Sequence, residues 1–393
     1  MNCYRALALV LLALPSVAQV PMPSDSTAFA LDLHRRVAKD ENIMLSPYSV
    51  RQVMGMAYAG AGGETRAQLQ KSLRAGLGFM EEEESLRKEL TAPGEAELRI
   101  ANALFLKKGY PFLLDYVAKV RAAFGAEVFS RPFGDKTLQE LNAWAKRATA
   151  GRIPTILKEL KPDDRAVLLN AVYFKGKWVD AFPKTKMRKG GPYPTVFSPP
   201  GGAAFETKLM SLSEKFHYTE TAQWQAVRLP YKGDRLALLA VLPDKSSSLG
   251  ALRAGLTATS WRNMRAELGP RDGFVALPRF KFDNSMSLNE PLIAMGMPLA
   301  FDRKRADFSG MSRPPERRDE LFLSRVVHKT YVAVGEEGTE AAAVTAGVMA
   351  VRGGAMREDE PFRFVADRPF LFAIEDIETG TILFLGEVHD PRE

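Results

Sequence analysis

The chain has 393 residues, 46% of them hydrophobic and 26% charged, which is a globular composition and excludes a disordered or membrane-embedded protein. A formal charge of +7 is a mild excess for this length, and the basic residues are dispersed; this permits weak polyanion binding but reads as no nucleic-acid module. The only cysteine is Cys3, so the chain beyond its first segment has no disulfide, no thiol nucleophile and no cysteine metal site.

The first nineteen residues, "MNCYRALALVLLALPSVAQ", read as an export signal. Arg5 supplies the positive charge, Ala6 to Leu14 the short apolar run, and Ser16-Val17-Ala18 a small-x-small cleavage site. The run is too short to cross a bilayer, and no second long apolar stretch follows, so no membrane span is expected. A buried first helix is the competing reading. Residues 1–18 are therefore expected to be a signal peptide and 19–393 one exported domain, extracellular, or periplasmic in a Gram-negative source.

Residues 27–150 read mainly as helices. "STAFALDLHRRVAKD" has apolar residues at helical spacing, and "SVRQVMGMAYAGAGGETRAQLQKSL" reads as helix, glycine break, helix. "PFLLDYVAKVRAAFGAEVF" and "TLQELNAWAKRATAGRI" repeat the pattern. In "MEEEESLRKEL", Glu81 to Glu84 read as a solvated helix face. After about residue 165 strands dominate. "AVLLNAVYFKGKW" is nearly all apolar, while "QAVRLPYKGDRLALLAVLP" and "LFAIEDIETGTILFLGEV" are hairpins turning at Lys232-Gly233-Asp234 and Thr379-Gly380. "SPPGGAA" and "SRPPERRD" are loops too short to link domains. Helices and strands do not alternate regularly, so the fold class is α+β in a single domain.

Catalytic parts are missing. The four histidines, His34, His217, His328 and His389, have no metal-ligand spacing, and there is no G-x-S-x-G elbow. "AGAGGETR" lacks both phosphate-loop patterns and reads as a break between helices. The tryptophans, Trp144 and Trp178 among them, read as core. The inventory points to a protein that is not an enzyme and needs no metal or cofactor.

Nine segments, in order, resemble the serpins, the family of suicide protease inhibitors: "NIMLSPYSVRQVMGMAYAGAGGET", "IANALFLKKG", "LNAWAKRATAGRI", "AVLLNAVYFKGKW", "VALPRFKF", "ADFSGM", "VVHKTYVAVGEEGTEAAAVT", "ADRPFLFAI" and "ILFLGEVHDP". The resemblance spans nearly the whole mature chain. It implies a single-domain fold of three β-sheets and about nine helices with an exposed reactive loop, here about 336–361. Glu336, Glu337, Gly338, Thr339, Glu340, Ala341, Ala342 and Ala343 match the loop's hinge. The family's spacing of sixteen residues from the first hinge glutamate makes Arg352–Gly353 the bond offered to a protease. Ser46, Ser49, Asn170 and His328 match the polar group beneath the opening of the main sheet, and Trp178 the aromatic where the hinge enters.

In the family, protease attack leaves an acyl-enzyme and the cleaved loop inserts into the main sheet. An arginine beside the scissile bond selects proteases whose pocket holds a buried carboxylate, so the expected partner is a trypsin-like serine protease held covalently by a monomeric inhibitor. The residues support such an insertion. Strand side chains alternate faces, so Thr339, Ala341, Ala343, Thr345, Gly347, Met349 and Val351 share one face, while Glu340 and Arg352 fall on the other. The fourteen residues from Thr339 to Arg352 span roughly 46 Å at about 3.3 Å each. Their ladder bonds, at a net ~1 kcal/mol apiece, supply on the order of 10 kcal/mol. The segment after Arg352, "GGAMREDEPFRF", is longer than usual for the family and makes Arg357 a second candidate for the bait. Some serpins bind heparin through a basic helix, but the corresponding stretch here is the acidic "MEEEESLRKEL". The alternative function is a non-inhibitory carrier or chaperone, for which charged or proline-containing hinges are expected.

Overall fold

A computed structural model describes residues 25–92, 94–314, 320–339 and 360–392. The signal segment, the hinge from Glu340 to Ala343, and Arg352, Gly353 and Arg357 lie outside the described residues. The N-terminal part contains α1 (Ser26–Val37), β1 (Ile43–Leu45), α2 (Pro47–Gly60), α3 (Gly63–Ser72), α4 (Phe79–Leu90), β2 (Glu97–Lys107), α5 (Leu114–Phe124), β3 (Glu127–Arg131) and α6 (Asp135–Ala148). Then come β4 (Ala166–Lys177), β5 (Gly190–Phe197), β6 (Phe205–Glu220), β7 (Trp224–Pro230), β8 (Leu236–Pro243), α7 (Leu249–Gly255) and α8 (Ala258–Glu267). The rest is β9 (Gly269–Leu277), β10 (Phe280–Ser287), α9 (Asn289–Ala294), α10 (Pro298–Phe301), β11 (Val327–Gly335), β12 (Gly338–Thr339), β13 (Phe362–Val365), β14 (Phe370–Asp376) and β15 (Ile382–Val388).

The strands form a six-stranded sheet, ordered β10-β11-β12-β4-β2-β3, and a nine-stranded one, ordered β1-β15-β14-β8-β7-β6-β9-β13 with β5 added on β6. Three sheets were expected, and the difference lies in β6. Over its sixteen residues it pairs with β5 at one end, β9 along the middle and β7 at the other end. One long strand thereby joins two regions into a continuous ladder. Three strands, the short β1 and the longer β2 and β3, also interrupt the N-terminal region read as helical. β2 has an almost unbroken apolar run because α6 covers one of its faces and α2 the other, so it lacks the alternation that marks a half-buried strand. The end of "AAFGAEVF" leaves the helix at Gly125, whose left-handed φ of 59° closes α5, and continues as β3.

Between the sheets lies an aromatic core in which Phe280 and Phe282 of β10 meet Phe370 and Phe372 of β14. On the outer face of β8 and β14, Trp261 of α8 and Leu31 of α1 pack on Leu239 and Leu371. That double cover explains why β8, β14 and β15 are buried at every position. α2 runs through the middle of the helical half, nearly every residue buried. α6 lies on β2 and β4, with Leu141 and Trp144 against Phe105 and Leu169.

One ion cluster pins the C-terminal hairpin to its cover. Glu375 of β14, wholly buried, accepts hydrogen bonds from Arg228 of β7 at 2.9 and 3.1 Å and from Arg265 of α8 at 2.7 Å. Removing a buried anion costs far more than the pair contributes, because the cations stay behind unneutralised. We expect Glu375→Ala to lose about 3–5 kcal/mol of stability, read from chemical unfolding midpoints. A variant as stable as the parent would mean that the two guanidinium groups are solvated in solution.

Candidate functional site at the opening of the six-stranded sheet

The six-stranded sheet has an unusual join. β11 runs to Gly335, the chain reverses at Glu336-Glu337, and Gly338-Thr339 return antiparallel to β11 as β12. On its other side β12 pairs with the end of β4, Gly338 opposite Lys177 and Thr339 opposite Gly176. Among the described residues, β4 and β11 share no register pairs and are linked through β12. Lower down, a cavity of about 70 Å³ separates them, lined by Leu168, Asn170, Val326 and His328 among others.

The reversal is held from both flanks. Glu336 accepts from Arg279 Nε at 2.7 Å, and Lys184 Nζ reaches Glu337 at 2.5 Å. Trp178, 2% exposed, donates its backbone N–H to Glu337 O at 3.0 Å and its indole N–H to Gly335 O at 2.9 Å. Its ring stacks on Tyr231, centroids 4.4 Å apart and 13° from parallel. The Tyr231 hydroxyl lies 2.6 Å from Thr339 Oγ1. Thr339, 1% exposed, thus has its hydroxyl paired with that of Tyr231, as a buried polar group requires. Gly338 makes the approach feasible. Its φ is +145°, and a Cβ there would lie 2.0 Å from the Gly176 carbonyl oxygen, so a side chain is excluded by both strain and space.

At the wall of this cavity the structure brings Ser46, Ser49, Asn170 and His328 together. Ser46 caps α2, its hydroxyl accepting from the Ser49 N–H at 3.1 Å with Pro47 at the first helical position. The Ser46 N–H donates to His328 Nε2 at 2.9 Å, tying α2 to β11. The Ser49 hydroxyl donates to Asn170 Oδ1, tying α2 to β4. A backbone N–H can only donate, so His328 Nε2 carries a lone pair and the ring is neutral. Burial also drives its pKa down to about 4.

Two participants, Asn102 and Tyr231, carry no assignment from the sequence, and a third, Glu83, lies where the sequence predicts a solvated face. Asn102 of β2 stands opposite Asn170 in the ladder and accepts from its Nδ2 at 2.7 Å; as an amide inside the apolar run "IANALFL" it carries the same sequence signal as Asn170. Tyr231 follows a strand, where a tyrosine gives no such signal. Glu83 corrects the reading of "MEEEESLRKEL" as a solvated face. Glu81 and Glu82 are exposed, but Glu83 is wholly buried and paired with Arg51 and Gln52 of α2. The exposed large apolar side chains are scattered, and among the described residues no helix is long and apolar enough to cross a membrane.

The family described as "Serpin (serine protease inhibitor)" matches residues 24–391. Among curated relatives, an uncharacterized serpin-like protein of Thermococcus kodakarensis is 35% identical over 95% of this chain and 86% of its own length. Leukocyte elastase inhibitor of Homo sapiens is 35% identical over 94% of this chain and 99% of its own. Among solved structures, tengpin, a thermophilic serpin in its native state, superposes with a TM-score of 0.82 at 27% identity, covering 93% of both chains. Human thyroxine-binding globulin complexed with thyroxine gives 0.79 at 28% identity, over 94% of this chain and 98% of the other.

Two outcomes are expected from this geometry. Gly338→Ala should expel β12 from between β4 and β11, so the Gly338 and Thr339 amides should exchange hydrogen far faster than in the parent. Equal protection would place the tight approach elsewhere. The second concerns acid. His328 and His34 of α1 both have pKa values lowered to about 4 by burial, against an ordinary 6.5. The unfolded chain therefore binds more protons between these values, and stability falls as pH drops from 6.5 towards 4, by on the order of 3 kcal/mol per histidine at the limit. His328→Gln, whose side-chain oxygen still accepts from Ser46, should flatten that slope. An unchanged slope would take His328 out of the titration.

Proposed function

The chain belongs to the serpin family, and from that premise we propose that it is a secreted suicide inhibitor of trypsin-like serine proteases. Residues 1–18 direct export and 19–393 form the inhibitory domain. The protease attacks the Arg352–Gly353 bond, Arg352 entering a pocket with a buried carboxylate, and the acyl-enzyme forms. The freed loop then continues the strand that Gly338-Thr339 begin, between β11 and β4, carrying the tethered protease with it.

The observation that carries this reading is the docked hinge. Thr339 lies in register with Val334 on one side and Gly176 on the other, with its side chain buried. That supports the face assignment in which Thr339, Ala341 and Ala343 point inward, since a strand continued from Thr339 keeps the same alternation. Ser46, Ser49, Asn170 and His328 act as a gate, because separating β4 from β11 strains the two bonds by which α2 holds them. The relatives named elastase inhibitor support inhibition of serine proteases. The choice of trypsin-like enzymes rests on Arg352 and its spacing from Glu336.

A second reading, a carrier of a small ligand, is favoured by the likeness to thyroxine-binding globulin. The hinge residues tell against it. From Gly338 to Ala343 there is no proline and one charge, Glu340, on the face away from the core in this assignment, so the ladder meets no obstacle.

Incubation with trypsin separates the two. An inhibitor forms a covalent adduct that survives boiling in detergent, and its cleaved form melts well above the intact one. A carrier is merely cut, or ignored, with its melting temperature unchanged. We further expect Arg352→Ala to lose trypsin inhibition by two orders of magnitude or more while the fold survives; inhibition retained at the parental rate would move the bait to Arg357. Thr339→Arg should yield a substrate in place of an inhibitor, since a guanidinium at the seat beneath Tyr231 is buried without a partner. Adduct formation at parental stoichiometry would refute the inward assignment.

A further inference from the structure

α4 presents Phe79, Glu83 and Leu90 to the core, so Glu83 sits where an apolar residue would complete the stripe. Its two carboxylate oxygens face different partners. Oε1 accepts from Arg51 Nη1 and Oε2 from Gln52 Nε2, both on α2. The Arg51 guanidinium lies 4.7 Å over the Phe79 ring. Gln52 Oε1 then accepts from Asn102 Nδ2 at 3.2 Å. Asn102 Oδ1 accepts from Asn170 Nδ2 at 2.7 Å, and Asn170 Oδ1 accepts from the Ser49 hydroxyl. Ser49 and Ser46 continue the connection to His328 on β11. Every residue in this line is buried, and it runs from α4, on the far side of α2, to both strands that flank the cavity.

We propose that Glu83 is a positioning residue for the gate, fixing through Gln52, Asn102 and Asn170 the orientation of the amide that holds Ser49. An amide has a donor end and an acceptor end, and an ionised carboxylate only accepts. Glu83 therefore turns the NH2 of Gln52 towards itself and the oxygen of Gln52 towards Asn102. The same polarity passes through Asn102 to Asn170, whose oxygen is left for the Ser49 hydroxyl. The Phe124 carbonyl, accepting from Asn102 Nδ2 at 2.6 Å, reinforces the middle amide. Reversing any one amide sets like against like in a buried space, donor facing donor or acceptor facing acceptor, a cost of about 1–3 kcal/mol per unsatisfied group. The Arg51–Glu83 pair is not explained by stability, because well-packed apolar residues of that volume do as well or better. An apolar pair, however, gives Gln52 no preferred direction. The consequence for opening the six-stranded sheet rests on the inhibitory reading; the relay itself does not.

Gln52→Met tests the relay, because it cuts the line while leaving the buried Arg51–Glu83 pair intact. Hydrogen exchange at the Ser46 and Ser49 amides reads the gate without reference to inhibition. We expect at least threefold faster exchange at these amides in Gln52→Met and parental rates in Glu84→Gln, a change at a half-exposed neighbour on the same helix. If Gln52→Met alters exchange only where α2 meets α4, the side chain is packing alone and the relay is refuted. The double variant Arg51→Met/Glu83→Met, which leaves no buried charge, is expected to match Gln52→Met at the Ser46 and Ser49 amides. Parental rates in a folded double variant also overturn the proposal. On prolonged warming, Gln52→Met should pass to a heat-resistant, loop-inserted form at least threefold faster than the parent. The Ser49→Ala/Gln52→Met double variant should convert no faster than Ser49→Ala alone, since both cut one line; rates that multiply refute the relay. If the exchange result holds but the parent cleaved by trypsin gains no heat resistance, the inhibitory reading falls and the relay stands.

Discussion

A strand in the middle of a sheet needs two neighbours, and in the six-stranded sheet the pair formed by β4 and β11 is bridged, among the described residues, by two residues of a third strand. The reversal at Glu336-Glu337 aims the chain back down between them. Everything else at the site serves this juncture. Trp178 and Tyr231 form the floor on which Thr339 rests, Arg279 and Lys184 hold the two glutamates of the turn, and the absence of a side chain at Gly338 lets three backbones meet. None of these groups performs a reaction. They fix where a strand begins and in which register, and in a sheet with a buried face, register decides which side chains are buried.

The polar residues below the juncture obey the opposite logic from the apolar core. Packing phenylalanines between two sheets is tolerant of small shifts, since dispersion and the hydrophobic effect have little direction. The bonds among Ser46, Ser49, Asn170, Asn102 and His328 are directional and are made between buried groups, where a broken one costs the desolvation of the groups it leaves unpaired. In the proposed mechanism such a group gives the sheet a defined closed state and a threshold for leaving it. The neutral state of His328 belongs to that design, because a protonated Nε2 has no lone pair for the Ser46 amide. A separate buried polar group, where Glu387 of β15 meets Arg253 at 2.7 Å and His389 at 2.8 Å, ties the C-terminal strand to α7 instead.

How much of this was legible depended on whether the signal was local. The hairpins at Lys232-Gly233-Asp234 and Thr379-Gly380 and the break between α2 and α3 stand where turn residues and periodicity place them, because short-range chemistry decides them. β2 was not legible as a strand in the helical half, since cover on both faces erased its alternation. Glu83 was misread because three neighbouring glutamates, two exposed and one half-exposed, make its charge look ordinary, and its partners lie about thirty residues back on α2. For the gate, an amide inside an apolar strand is a signal, and Asn170 and Asn102 carry it equally; only the likeness to a family singled out the first. No single-sequence argument locates Tyr231, whose contribution exists only once β12 is seated.

The docked hinge also bears on the kinetics of the proposed inhibition. A suicide inhibitor succeeds only if strand insertion outruns hydrolysis of the acyl-enzyme. The slow part of adding a strand is its first contact, because ordering a few residues precedes any reward from the ladder, whereas each later residue adds a bond to an edge already formed. In this chain Gly338 and Thr339 have made that first contact before any cleavage. In the proposed mechanism the contacts of Arg279 and Lys184 with the turn, together with the polar group below, keep the process from continuing while the loop is tethered at both ends. Cleavage at the proposed bond removes one tether and leaves a nucleated strand beside an edge of matching register. On the two proposals together, the aromatic residues Trp178 and Tyr231 start the strand and the buried relay sets the resistance it meets.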